Sequence, residues 1–148
     1  MIYLGSDHGG FKLKQQIKKW LSEWGYGYQD LGNSEFDEVD DYPQYALQVA
    51  TKVAENEPEN KGVLVCRSAV GMVIAANKIK GARAAAVYDE EMGRLVREHN
   101  NANIIGLSGD RLSAEEAKKI LKKFLETDFS QDERHRRRVK MIGEFEGK

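Results

Sequence analysis

Short apolar runs alternate with stretches of helical periodicity along the whole chain. Ile2 to Gly5 reads as a first strand, after which Leu13, Ile17, Trp20, Leu21 and Trp24 fall on one helical face. Tyr26 to Leu31 is a weaker second strand, closed by a turn at Gly32-Asn33. Asp41 and Pro43 give start signals for a helix carrying Ala46, Val49, Ala50 and Val53 on one side, and Pro58 ends that region. Val63 to Cys66 predicts a third strand, with a short helix from Val70 to Asn77 after it. Ala84 to Val87 predicts a fourth strand, and Asp89 is placed to cap a helix bearing Met92, Leu95, Val96 and His99. Asn103 to Leu107 is the fifth strand. Ser113-Ala114-Glu115-Glu116 then reads as a capping box, followed at helical spacing by Ala117, Ile120, Leu121, Phe124 and Leu125. A last helix is predicted from Asp132 to Phe145, with Val139 and Ile142 on its apolar side.

Repeated strand–helix alternation implies parallel strands joined by right-handed crossovers. The expected fold is α/β, a three-layer α/β/α sandwich with a five-stranded parallel Rossmann-like sheet and a C-terminal helix. With 148 residues and no repeat or linker, the chain reads as one domain, 1–148. In such sheets ligands bind outside the C-terminal ends of the strands. That rule predicts one shared edge for Asp7-His8-Gly9-Gly10, Cys66, Tyr88-Asp89 and Ser108-Gly109-Asp110-Arg111.

A net charge of −1 gives no overall field that would draw the chain to nucleic acid or to a membrane surface. No apolar run approaches the roughly 20 residues of a membrane span. The single cysteine excludes an intramolecular disulfide, and Ile2-Tyr3-Leu4 follows the first residue with no basic leader, so a cytoplasmic protein is expected. Charge is nevertheless unevenly placed. Glu35, Asp37, Glu38, Asp40 and Asp41 form an acidic loop, and Arg134, His135, Arg136, Arg137, Arg138 and Lys140 a basic cluster.

Cys66 ends an apolar run and opens a Ser/Gly-containing turn before a helix. Backbone N–H groups there favour an anion and lower a thiol's pKa; the alternative is a small buried hydrophobe. Asp7-His8 before Gly9-Gly10 is either a helix cap with an exposed imidazole or part of a site. His99 lies at a helix C-terminus, where a protonated imidazole is favoured, beside Asn100, Asn101 and Asn103. The three histidines stand in no metal-binding spacing, so no metal or cofactor is expected. Met72 stands where a cysteine phosphatase would need its arginine, and no GxGxxG or GxxxxGKS motif is present. Arg134 and Arg138, at i and i+4, suit a phosphate dianion. A nucleic-acid patch would want interleaved aromatics, which the cluster lacks.

Taken together, Ser6-Asp7-His8-Gly9-Gly10-Phe11-Lys12-Leu13-Lys14, Asp41-Tyr42-Pro43, Val65-Cys66 through Gly71-Met72, Ile74-Ala75-Ala76-Asn77-Lys78, Arg83-Ala84-Ala85, Arg97-Glu98-His99-Asn100-Asn101-Ala102-Asn103 and Arg134-His135-Arg136-Arg137-Arg138-Val139 resemble the type B ribose-5-phosphate isomerases. That family includes allose-6-phosphate and galactose-6-phosphate isomerases. The likeness implies a metal-free aldose–ketose isomerase acting through a cis-enediolate, with Cys66 as the base and Ser68 and the turn's N–H groups, Gly71 among them, at the enediolate. It implies His99 and Asp7 for ring opening, Tyr42 and Asn100 at sugar hydroxyls, and His8, Arg111, Arg134 and Arg138 around the phosphate. It further implies homodimers whose sites draw on both subunits, and leaves pairing into tetramers open. Met72 stands where one branch of the family carries a glutamate, which groups this chain with the cysteine users. The family loop reads Cys-Gly-Ser/Thr-Gly-x-Gly, whereas here Arg67 and Ala69 replace two glycines. Either the backbone is already helical there and Arg67 faces solvent or an ion pair, or Arg67 reaches the sugar and alters substrate preference. A six-carbon substrate, or a companion subunit that binds sugar phosphate without turnover, are the alternative functions.

Overall fold

In a computed structural model, which describes residues 1–147, the chain forms the expected three-layer sandwich. The order is β1 (Ile2–Ser6), α1 (Phe11–Glu23), β2 (Tyr28–Asp30), α2 (Tyr42–Glu55), β3 (Lys61–Cys66), α3 (Val70–Ala76), β4 (Ala84–Ala86), α4 (Glu90–Glu98), β5 (Ile104–Ser108), α5 (Ala114–Glu126) and α6 (Glu133–Phe145). All strand pairs are parallel, in the order β2-β1-β3-β5-β4. The central strand β3 sets the register: Ser6 pairs with Val65 on one side, and Cys66 with Ser108 on the other.

Both faces of the sheet are covered, which is why the strands read as continuous apolar runs rather than alternating ones. Val63 and Val65 point into the core formed with Ile17, Leu21, Ile120 and Phe124, while Leu64 and Cys66 point into a second core with Val49, Val53 and Met72. β2 is shorter than the sequence suggests, because Tyr26 is still tied to the exit of α1 through its N–H to the Leu21 carbonyl. The edge strand β4 has its free side closed by a side chain: the Asn77 amide accepts from Ala84 N at 2.8 Å and donates to Ala84 O at 2.9 Å. At Ala84 this occupies the free donor and acceptor that a further strand would use.

Two caps act as their sequence positions indicate, with Asp89 accepting from Met92 N and Ser113 and Glu116 completing a capping box. Asp41 precedes α2 but makes no side-chain cap bond. The last helix departs from expectation. Its one buried residue is His135; Ile142 is 49% exposed and Phe145 94%. The apolar side predicted for α6 therefore has little to pack against within its own chain. Among the described residues, no helix is long and apolar enough to cross a membrane.

The sheet edge at the C-terminal ends of the strands is held by close backbone approaches. Asp7 caps a single 3₁₀ turn, His8–Gly10, through a bond from Gly10 N, and that turn presses onto the end of β3. A Cβ on Gly10 would lie 2.2 Å from the Val65 carbonyl oxygen, and one on Gly109 would lie 2.5 Å from the Gly9 oxygen. Gly10→Ala is therefore expected to lose at least about 2 kcal/mol of stability through overpacking against backbone, read as a lowered midpoint in urea with an unchanged slope.

Candidate active site

Cys66, at the C-terminal end of β3, is 5% exposed, and its Sγ accepts a hydrogen bond from Ala69 N at 3.1 Å. Burial pushes the thiol above its ordinary range; the nearby Asp7 charge adds to the rise, while N–H groups of Ala69, Ser68 and Met72 lean the other way. The lowered pKa expected from the turn is thus not found: taking sulfur out of water outweighs the donors aimed at it. Burial also raises the Asp7 carboxyl, against the pull of the Gly10 N–H.

The turn after Cys66 answers the question posed by its two missing glycines, and the answer differs between them. Ala69 has φ +70°, in the left-handed region, and its methyl is fully buried. Arg67 is not among the residues with positive φ. Its stem lies against Gly9, its guanidinium is exposed and 3.7 Å from Asp110, and its carbonyl accepts from Ser108 Oγ and Asp110 N. Ser68 is exposed, with its carbonyl held by the Tyr88 hydroxyl at 2.8 Å. The missing side chain at Gly71 makes room for Tyr42: a Cβ there would meet the tyrosine ring at 2.6 Å and its hydroxyl at 2.9 Å. Arg111 follows in the turn after β5, where its N–H bonds Ser108 Oγ.

His8 is clamped by a residue the sequence reading passed over within the acidic loop. Asp40 Oδ1 accepts from His8 N at 3.1 Å and meets His8 Nδ1 at 2.7 Å, while Asp40 Oδ2 accepts from the Asn33 amide. Asn33 Oδ1 in turn takes the Tyr45 hydroxyl. The bond to Asp40 raises the His8 pKa, and the charge of Asp7 supports that rise. Below this network Lys14, fully buried, bonds Asp30 at 2.9 Å and the Asn33 carbonyl at 2.7 Å. Asp7, His8 and Asp40 bring their ligand atoms within 4.8 Å of one another, but the cluster is knitted by its own hydrogen bonds and reads as an ion pair.

His99, Asn100, Arg134 and Arg138 stand elsewhere. Helix α4 runs back across the sheet, so its C-cap His99 emerges beside the start of β5, at the edge opposite Cys66. A five-residue strand separates the two edges by roughly 15–20 Å. There the His99 ring stacks on His135 of α6, with centroids 4.2 Å apart and planes 31° apart. Burial, followed by the charge of His99, lowers the His135 pKa, with Arg134 and Arg138 close enough to add to it. In the sequence His135 stands out only as part of the basic cluster. Its sequence signal is the i, i+4 spacing to Val139, which is half-buried on the same face of α6. Among the described residues, no hydrogen bond, ion pair or ring contact joins the Cys66 group to the His99 group.

The chain matches the family model described as Ribose/Galactose Isomerase over residues 2–142. It belongs to that family. A ribose-5-phosphate isomerase B from Mycolicibacterium paratuberculosis is 41% identical over 98% of this chain and 91% of that protein. The crystal structure of ribose-5-phosphate isomerase B from Mycoplasma genitalium with bound ribulose-5-phosphate superposes with a TM-score of 0.96, at 40% identity over 99% of this chain and 96% of that one. The Thermotoga maritima enzyme gives 0.90 at 42% identity, covering 97% of each chain. Within the ribose/galactose isomerase family this chain thus keeps the fold over its whole length while placing Arg67 and Ala69 in the turn at Cys66.

The raised thiol predicts a pH dependence with a definite sign. A group whose folded pKa is raised stays protonated to higher pH, so alkylation of the free protein by iodoacetamide should be slow near neutrality. Its rate should climb with a midpoint above the ordinary value of 9.0. Stopped alkylation followed by intact mass, compared with a small free thiol, measures it; a midpoint below that of the free thiol would contradict the burial argument.

Proposed function

We propose that the chain interconverts ribose 5-phosphate and ribulose 5-phosphate, with Cys66 as the base that carries the proton between C2 and C1. The observation that carries this reading is a buried thiol at a parallel-strand end, backed by loop N–H donors, in a chain related along its whole length to ribose-5-phosphate isomerases B. The Cys66 thiolate takes the C2 proton of the open-chain aldose, the electron pair moves to give a cis-enediolate, the hydroxyl proton passes from O2 to O1, and the thiol returns the carbon-bound proton to C1 as O2 becomes the carbonyl. Hydrogen and electrons stay within the substrate, so the step balances without a metal or redox cofactor. A thiol with a raised pKa is the stronger base once ionised, and the N–H groups around it suit the developing negative charge.

His99 and Asp7 serve to open the furanose ring in this reading, Ser68 and Gly71 line the enediolate, and Tyr42 and Asn100 hold sugar hydroxyls. His8, Arg111, Arg134 and Arg138 surround the phosphate, and Arg67 lies at the rim of the same pocket. Because the Cys66 and His99 groups occupy opposite sheet edges, one protomer cannot close a site by itself. The reading therefore includes a homodimer in which each site takes its Cys66 group from one protomer and its His99 group from the other. The exposed apolar side of α6 is consistent with such pairing. A cytoplasmic metabolic setting goes with it.

Cys66→Ala should lower kcat by about 10²–10⁴ with little change in substrate binding, measured by the absorbance of ribulose 5-phosphate or by a coupled assay. Turnover at the wild-type rate in that variant would remove Cys66 as base. Allose 6-phosphate and galactose 6-phosphate in the same assay separate the five- and six-carbon readings, and binding without any wild-type turnover would identify a companion subunit. Mixing inactive Cys66→Ala with inactive His99→Ala under subunit exchange should restore about a quarter of the wild-type activity, since half of the dimers then hold one intact site. No recovery despite confirmed exchange would place both residues in a single protomer's site.

A further inference from the structure

We propose that Asp40 is a positioning residue for the reaction: it holds the His8 imidazole in one orientation and protonated, so that Nε2–H is presented to the substrate phosphate. This rests on the reading that His8 faces the phosphate. Asp40 stands just before Asp41-Tyr42-Pro43, outside the motif residues that carry the family resemblance.

The geometry is that of a carboxylate–histidine pair. The Asp40 side chain is 1% exposed and that of His8 24%. Oδ1 is occupied twice by His8, through the backbone N at 3.1 Å and Nδ1 at 2.7 Å, so the ring's remaining nitrogen is the one free for a ligand. Oδ2 is fixed by the Asn33 amide, and Asn33 by the Tyr45 hydroxyl of α2, so the carboxylate cannot rotate away without breaking a part-buried chain of bonds. A carboxylate this deeply enclosed needs a countercharge. The neighbouring lysines Lys14 and Lys18 are taken by Asp30, which leaves the His8 imidazolium. Of the other charges that face His8, Asp7 favours the protonated ring and Arg67 opposes it. Phe36, from the same loop as Asp40, sets its ring edge-on to His8 at 6.4 Å. A neutral imidazole at this position would offer the phosphate a weaker donor, and in the wrong tautomer none.

Asp40→Asn keeps an oxygen that accepts from Nδ1 but removes the charge; Asp40→Ser serves as a second, smaller uncharged acceptor if the first unfolds. Two readouts are followed with pH: the His8 Cε1–H resonance, assigned with His8→Gln, and kcat and KM for ribose 5-phosphate. The expected result is a His8 midpoint that falls toward the ordinary 6.5. KM at pH about 8 should rise about tenfold, the factor of one charge-assisted hydrogen bond, while kcat moves little, and the penalty should shrink on acidification. The ratio of variant to wild type cancels the substrate's own titration, and Asp40→Asn should add no further loss in the His8→Gln background. An unshifted His8 midpoint overturns the proposal and leaves Asp40 as a fastener of the loop. A shifted midpoint with a KM ratio that ignores pH overturns it differently, by removing His8 from the phosphate.

Discussion

Parallelism of the sheet is the constraint on which the rest of this molecule depends. With every strand running the same way, all strand ends collect on one edge, and every connecting helix must return its own C-terminus to the other. Cys66, Asp7 and Arg111 are strand-end residues, whereas His99 is a helix-end residue. No local adjustment of loops brings the two groups together across the thickness of five hydrogen-bonded strand residues. Topology alone therefore keeps the Cys66 group and the His99 group of one chain at opposite sheet edges.

The Cys66 edge is built by subtraction of side chains as much as by their addition. Gly9, Gly10 and Gly109 let three chain segments meet at backbone distance around the end of β3, and Gly71 lets the Tyr42 ring lie on the first turn of α3. Against this background Ala69 is the exception. A left-handed conformation costs an alanine roughly 1–2 kcal/mol, while its buried methyl, packed toward Gly106, returns an amount on the order of 1 kcal/mol. The near balance explains how the turn tolerates a side chain at the position where glycine would be unstrained. Arg67 meets no such penalty, and its charge is satisfied at the surface by Asp110.

Polar groups buried beneath the same edge form two linked layers. Lys14 and Lys18 hold Asp30, where their hydrogen bonds overcome the burial that would otherwise raise its carboxyl and keep it below the ordinary range. Lys14 also reaches the Asn33 carbonyl, and Asn33 joins Tyr45 to Asp40 and so to His8. The loop from Gly32 to Asp41 has little regular structure, yet it is fastened at both levels. Its acidic composition reads as a solvated surface, and for Glu35 and Glu38, both exposed, it is one. Asp40 differs only in where the chain turns it, which no count of charges along the sequence reveals.

Local periodicity and capping chemistry specify the architecture. Five apolar runs and the intervening helical faces specify a parallel α/β sandwich, and the strand-end rule gathers Asp7, Cys66 and Arg111 correctly, because both follow from spacing along the chain. The motif set likewise carried the family. Tertiary structure alone decided the quantities that depend on what lies across space. Burial raises the thiol that the turn's donors were expected to lower. A left-handed backbone falls at Ala69 and not at Arg67. The Asp40 carboxylate, in the loop between β2 and α2, folds back onto His8, since Asn33 and Tyr45 fix it there. Desolvation, backbone sign and long-range hydrogen bonding are properties of enclosure, and a one-dimensional pattern records which residues are available to be enclosed but not which of them will face one another.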